Sequence, residues 1–359
     1  MPLWLALLGG RLAPPAWPAA PLWHAHEMLL GFAGATMAGF LVTRAPPAHI
    51  LLLAGLWGLA RIAFWIPSPF AALLLLPFPA LLAGLVAPPF LEASKKPNNL
   101  AFGGIPIGLL LLEGLFVLGA TGAWSGLLEP VTWTLVYLVS TLLMLMGGRI
   151  IRAATAGLVR KRGGRFDAGI DLRREAFSLV LFLLAILARL LSLPPATAGL
   201  ALTGTGLLTG WRLGRWFAPE LRRAPELWAL HLGYAWLAAG LIPLGLAGMV
   251  PAIAAVDVVH ATMIGGLGTL AFTVMARTAA QRSGRGFEAA ARIARCAPLL
   301  SLAALMRLGA AWFPQLAGPA LAISGFLWSL AFLLLAAFLL AQRRPMLRAD
   351  RNRSSSRRP

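Results

Sequence analysis

Cysteine and charge are both scarce in this chain. A single cysteine, Cys296, occurs in 359 residues. That excludes an internal disulfide, a thiolate zinc site and an iron–sulfur cluster. No Cys-x-x-Cys-His run occurs, so covalent haem attachment is excluded as well. Charged residues make up 12% of the chain and hydrophobic residues 59%, whereas a soluble domain carries about 25% charge. No soluble fold of this length could hide so much apolar surface. The apolar–polar alternation of an outer-membrane barrel is missing too. The apolar runs are continuous and roughly 20 residues long, which means helices that cross a bilayer. No phosphate-binding loop, Ser-His-Asp set or nucleic-acid-binding module is present.

What is there reads as an all-α polytopic transmembrane helix bundle. Eleven full spans are expected, at 25–43, 48–66, 70–91, 100–120, 129–148, 175–193, 196–216, 226–248, 252–275, 294–313 and 318–341. Residues 1–10 are apolar but too short to span. They have no basic lead of the kind a signal peptide needs. They read as the end of a helix whose beginning is missing, which would make twelve spans in the complete fold. Residues 1–341 form one transmembrane domain. The net charge of +19 would suggest nucleic acid, but its placement argues for topology. Arg44, then Lys95 and Lys96, follow the first and third spans. Arg149 to Arg174 form a basic loop, 149–174, after the fifth. Arg212 to Arg223 close the seventh span and Arg277 to Arg295 follow the ninth. A basic, Ser-rich tail, 342–359, ends the chain and is expected to be disordered. Every odd-numbered loop is basic and the even-numbered loops carry almost no Lys or Arg. This positive-inside pattern puts the C-terminus in the cytoplasm and the protein in the inner membrane.

The stretch Trp23-His24-Ala25-His26-Glu27-Met28 lies at the outer mouth of the first full span. Imidazole, carboxylate and thioether are side chains that bind iron and copper. An ionisable cluster there is costly and marks a functional site, unless it is an interfacial Trp-His belt. His24 and His26 point about 200° apart on a regular helix. They could share a metal only if the backbone is not yet helical there, after Pro21. The spacing His26-x4-Gly31-x2-Gly34 returns as His260-x4-Gly265-x2-Gly268 in the ninth span, and both helices run inward from outside. The echo favours His26 as the inward histidine. His260 lies about 12 Å deep, as a metal ligand or a helix–helix hydrogen bond. Asp257 one turn earlier is placed to hold its second nitrogen, and Met263 lies on the same side. His231 sits near the cytoplasmic end of its span, about 13 Å from the level of His260. A second metal site or a packing role beside Tyr234 is open for it. His49 has no polar company and no chemical role is expected. Glu113, Arg61, Arg189 and Arg307 belong to the outer half. The arginines either snorkel or pair with Glu113, Asp257 or haem propionates.

With these residues the chain resembles the NnrS family of bacterial membrane proteins. The resemblance rests on Trp23 to Phe32 (WHAHEMLLGF), Gly147 to Ile151 (GGRII) and His231 to Trp236 (HLGYAW). It also rests on His260 to Gly265 (HATMIG), Met275 to Thr278 (MART) and Gly284-Arg285, in this order along the chain. It implies a non-covalent, b-type haem, copper, and a part in nitric oxide metabolism and nitrosative stress. The expected partners are then the lipid bilayer and nitric oxide or a related small molecule. His26 and His260 become the preferred axial pair of the haem, with Arg61 and Arg307 beside it. His24 with Met28 or Met263 becomes the copper site, and His231 is a further metal candidate. Glu27, Glu113, Asp257 and Tyr234 support the ligands. A multi-span transporter with a polar outer chamber is the rival reading.

Overall fold

A computed structural model describes residues 1–42, 45–92, 97–167, 169 and 171–355, of which 97–99 and 343–355 by backbone alone. Arg44, Lys95 and Lys96, used for the topology above, lie outside the described residues. The chain is 83% helix, with no strand among the described residues. α1 (Pro2–Leu8) comes first. α2 (Ala20–His26) runs into a π-helical segment, π1 (Glu27–Ala33), and on into α3 (Gly34–Leu41). Next come α4 (Pro47–Ala63), α5 (Pro77–Glu92), α6 (Pro97–Ala120) and α7 (Leu128–Lys161). α8 (Leu172–Leu190), α9 (Pro195–Arg215) and α10 (Pro225–Leu246) follow. α11 (Ala255–His260) passes through a second π-helical segment, π2 (Ala261–Gly268), into α12 (Thr269–Arg282). α13 (Gly286–Ala294), α14 (Pro298–Trp312) and α15 (Ala317–Ser355) complete the set.

Proline punctuates this order. Pro47, Pro77, Pro97, Pro195, Pro225 and Pro298 each open a helix. There the ring presets φ, and the missing N–H is one that the first turn would leave unpaired anyway. Hydroxyls inside the apolar helices turn back on their own backbone. Thr132, Ser140, Thr205 and Thr273, among others, donate to the carbonyl four residues earlier at 2.7–2.8 Å. That satisfies them where no water is at hand.

Among the described residues, seven stretches are long and apolar enough to cross a bilayer: Pro69–Glu92, Leu100–Ala120, Ser125–Lys161, Pro225–Leu246, Ala255–Arg282, Gly286–Trp312 and Pro314–Gln342. The other expected spans are helical but fall short of that standard, so the structure does not reproduce the count of eleven. The first is divided into α2, π1 and α3, of 7, 7 and 8 residues. α4 has 17 residues. α8 carries Arg173, Arg174, Glu175 and Arg189, and α9 is diluted by Thr and Gly before Arg212 and Arg215. The basic loop expected from 149 begins as helix, since α7 continues to Lys161. Likewise the tail expected to be disordered from 342 is helical to Ser355, and 356–359 lie outside the described residues.

The chain forms two compact units. One holds Ala6–Leu142 and Phe182–Ala198; the other holds Met1–Leu5, Leu143–Leu181 and Gly199–Pro359. We call them the N-terminal and C-terminal units. Their boundaries fall inside α1, α7, α8 and α9 rather than in linkers.

In the N-terminal unit α5 packs along α6. Phe102, Ile105, Leu109, Leu112 and Phe116 make the buried stripe of α6, at the three- and four-residue spacing of one helix face. Glu113 lies beside Leu112 and is buried with it. The segment ahead of α2 is tied to the end of α4. Ala16 N donates to Phe64 O at 2.9 Å, and Trp17 Nε1 donates to Ile66 O at 3.1 Å.

In the C-terminal unit α10 lies along π2 and α14 along α15. Phe272, Ala276, Leu300, Ala331 and Leu335 close a core there. Trp236 Nε1 donates to Ser301 Oγ at 2.8 Å, and Ser324 Oγ to Ala303 O at 2.7 Å. These bonds join neighbouring helices where no water competes. Gly240 allows a close approach: a Cβ at that position would stand 2.6 Å from Thr262 N in π2.

Candidate functional site

α2 is regular helix from Ala20 onward, so His24 and His26 diverge and do not share one face. His26 is the inward one, 1% exposed, while His24 is half-buried. Phe64 and Phe116 flank the His26 ring, with centroids 4.9 and 4.7 Å away. Its Nε2 meets the Glu113 carboxylate, 2.9 Å from Oε1 and 3.1 Å from Oε2. A carboxylate only accepts, so Nε2 carries the proton. In the neutral imidazole this leaves the lone pair on Nδ1. That nitrogen is buried, makes no hydrogen bond, and lies 4.0 Å from Glu27 Oε1.

Glu27 is the first residue of π1 and pairs with Arg61 of α4, Oε1 to Nη1 at 3.1 Å. The Arg61 guanidinium lies beside the rings of Trp57 and Phe64. Trp57 Nε1 donates to Gly31 O at 2.8 Å. Gly31 is where a side chain cannot go: a Cβ there would collide with the Arg61 guanidinium. The first glycine of the His-x4-Gly-x2-Gly spacing thus makes room for an ion pair. The second, Gly34, makes room for Phe78.

The echo in the C-terminal unit repeats the backbone device. His260 is the last residue of α11, and π2 begins at the next residue, as π1 begins after His26. π turns inside α-helices gather at functional positions. Gly265 gives its space to the Trp236 ring. Asp257 pairs with Arg307 of α14, Oδ1 to Nη1 at 3.4 Å. Each unit therefore carries a histidine at an α-to-π junction, with a nearby acid in the same helical run paired to an arginine of another helix.

His231 has both ring nitrogens at backbone carbonyls, Nδ1 3.0 Å from Leu227 O and Nε2 3.4 Å from Trp216 O. Tyr234 is fully buried and donates to Met144 O at 3.1 Å. His49 is exposed at the start of α4. Arg189 pairs with Glu129, and not with any of the acids named for it above. Met28 and Met263 are both half-buried.

The NnrS family model, described as NnrS protein, matches residues 1–351. The chain belongs to the NnrS family. No curated protein and no solved structure matches it. Among the described residues of this NnrS-family chain, no three His, Cys, Asp or Glu side chains stand together as a metal cage. A haem iron held by imidazoles does not need such a cage. The His26 arrangement suits one ligand of that kind: a carboxylate fixes one nitrogen and the other is left bare. Sequence reasoning missed two buried ion pairs, Arg212–Glu175 at 3.2 Å and Arg277–Glu226 at 3.9 Å. Their arginines stand among the basic loop residues in sequence. The available signal was that Glu175 and Glu226, two of only 12 acidic residues, sit in the first turns of apolar helices.

Proposed function

We propose that this multi-pass membrane protein binds haem and copper and acts on nitric oxide, in its metabolism or in the response to nitrosative stress. Family membership supports the class of function. The observation that carries the site is His26, buried, held at Nε2 by Glu113 and bare at Nδ1. His26 and His260 would be the haem ligands. Arg61, whose Nε makes no hydrogen bond, and Arg307 would face the propionates. His24 with Met28 or Met263 would hold copper. His231 would have to leave two carbonyls to join either set. A bound haem supplies an iron that takes a diatomic ligand. The chain's own part is orientation and exclusion. Glu113 keeps the proton on Nε2, and Phe64 and Phe116 keep water from the ring. The reading includes eleven spans, an inner-membrane location, a cytoplasmic C-terminus and a site in the outer half of the bundle.

The test is haem per protein by pyridine haemochrome, in membranes of equal expression. His26→Ala and His260→Ala should each lose most of the haem, while His49→Ala and His231→Ala keep it. Full retention in both His26→Ala and His260→Ala would overturn the assignment. A purified wild-type protein with no Soret band would favour a transporter.

A further inference from the structure

We propose that a cleft in the C-terminal unit binds a phosphate oxyanion, carried by an anionic lipid headgroup or free in solution. Its walls include Gly148, Arg149 and Arg152 of α7, Glu175 of α8 with Asp171 just ahead of it, and Arg212 of α9. None of these residues belongs to the histidine sites.

Arg212 is buried in the wall of the cleft, only 8% exposed. Its Nη2 reaches Glu175 Oε1 at 3.2 Å, while its Nη1 is buried with no hydrogen-bond partner. Arg152 Nε is buried and without a partner in the same way. A buried guanidinium N–H left unmade is expensive, so two such groups at one cleft point to an acceptor from outside the chain. The carboxylates in the wall already have cationic partners. Glu175 serves Arg212. Asp171 takes Arg174, Oδ2 to Nη1 at 2.9 Å, and also caps α8 by accepting from Arg174 N at 3.2 Å. The lining holds three guanidiniums against two carboxylates, one of which is already neutralised by Arg174. The surplus is positive, and planar guanidinium forks match phosphate oxygens in pairs.

Glycine makes this arrangement possible. A Cβ at Gly148 would stand 2.6 Å from Arg212 Nη2 and 3.1 Å from the Trp216 ring. Gly148 therefore lets a guanidinium lie flat against α7. The position along the helix also suits a headgroup. Gly148 is 20 residues after Leu128, the first residue of α7. That is ~30 Å of helix, the thickness of the hydrocarbon core. The cleft thus sits at headgroup depth, where basic pockets between helices hold anionic lipids.

The variant to use is Arg152→Gln, because Arg152 makes no ion pair whose loss would unfold the unit. Arg212→Gln strands Glu175 and serves only as a second variant. Arg292→Gln, in an exposed part of α13, controls for total charge. Two probes separate the sources. The first counts phosphatidylglycerol retained by native mass spectrometry after purification from vesicles of phosphatidylglycerol and phosphatidylcholine. The second titrates inorganic phosphate calorimetrically into delipidated full-length protein. Retained phosphatidylglycerol that Arg152→Gln loses, with no phosphate binding, assigns a lipid headgroup. Phosphate binding weakened at least tenfold in Arg152→Gln assigns a soluble oxyanion. Wild-type protein that binds neither, or an Arg152→Gln protein matching wild type and Arg292→Gln in both assays, overturns the proposal.

Discussion

Glu113→Ala tests the His26 site without requiring a cofactor. Glu113 is 1% exposed and gives both carboxylate oxygens to His26 Nε2, at 2.9 and 3.1 Å. Removing it leaves a ring N–H buried between Phe64 and Phe116 with nothing to accept it. An orphaned buried donor costs about 1–3 kcal/mol. If the pair is ionic in the membrane, loss of one member costs about 3–5 kcal/mol. Glu113→Gln keeps the shape and one carbonyl acceptor, so it should cost less than Glu113→Ala. The decisive quantity is the coupling with His26→Ala. Side chains in contact couple by about 0.5–3 kcal/mol, whereas independent ones add within about 0.5 kcal/mol. Unfolding in graded SDS, followed by the fluorescence of the 13 tryptophans, gives the four corners of the cycle. A coupling of at least 1 kcal/mol is expected. In haem-loaded protein, Glu113→Ala should further weaken haem retention by about 10–100-fold, the usual effect of losing a ligand's supporting carboxylate. Coupling indistinguishable from zero would refute the claim that the carboxylate holds this imidazole.

Gly240→Ala puts a Cβ 2.6 Å from Thr262 N and 3.0 Å from Ala261 C. It should cost about 1–3 kcal/mol as overpacking against backbone that cannot yield. Gly39→Ala, in α3 with nothing within 4 Å of the new methyl, should be neutral or gain up to about 1 kcal/mol of helix propensity. Melting temperatures in one detergent check the contrast, and equal shifts would refute it. Reporter fusions check the topology. One fused after Pro359 should report cytoplasm and one placed between 121 and 128 should report periplasm; the reverse would invert every depth argument.

Much of this was legible in the residues. Long, continuous apolar runs gave an all-helical membrane protein. The His-x4-Gly-x2-Gly echo pointed to two related positions, and helical geometry allowed only one of His24 and His26 to face inward. The π segments were not legible, because a π turn changes hydrogen-bond partners without changing which residue types are apolar. Nor was the Glu113–His26 pair, which joins residues 87 apart. The count of eleven spans is not reproduced for a different reason. Helices such as α8 and α9 bury charge and hydroxyls against neighbours, so their place in the bundle does not follow from hydropathy.

The way the two units divide restricts how such a protein can be made or dissected. The boundaries at 142/143, 181/182 and 198/199 cut α7, α8 and α9. Severing a helix exposes as many as four N–H and four C=O groups at each cut. Inside hydrocarbon each of those groups costs several kcal/mol. A fragment cut at these boundaries would carry those costs, which the whole chain does not.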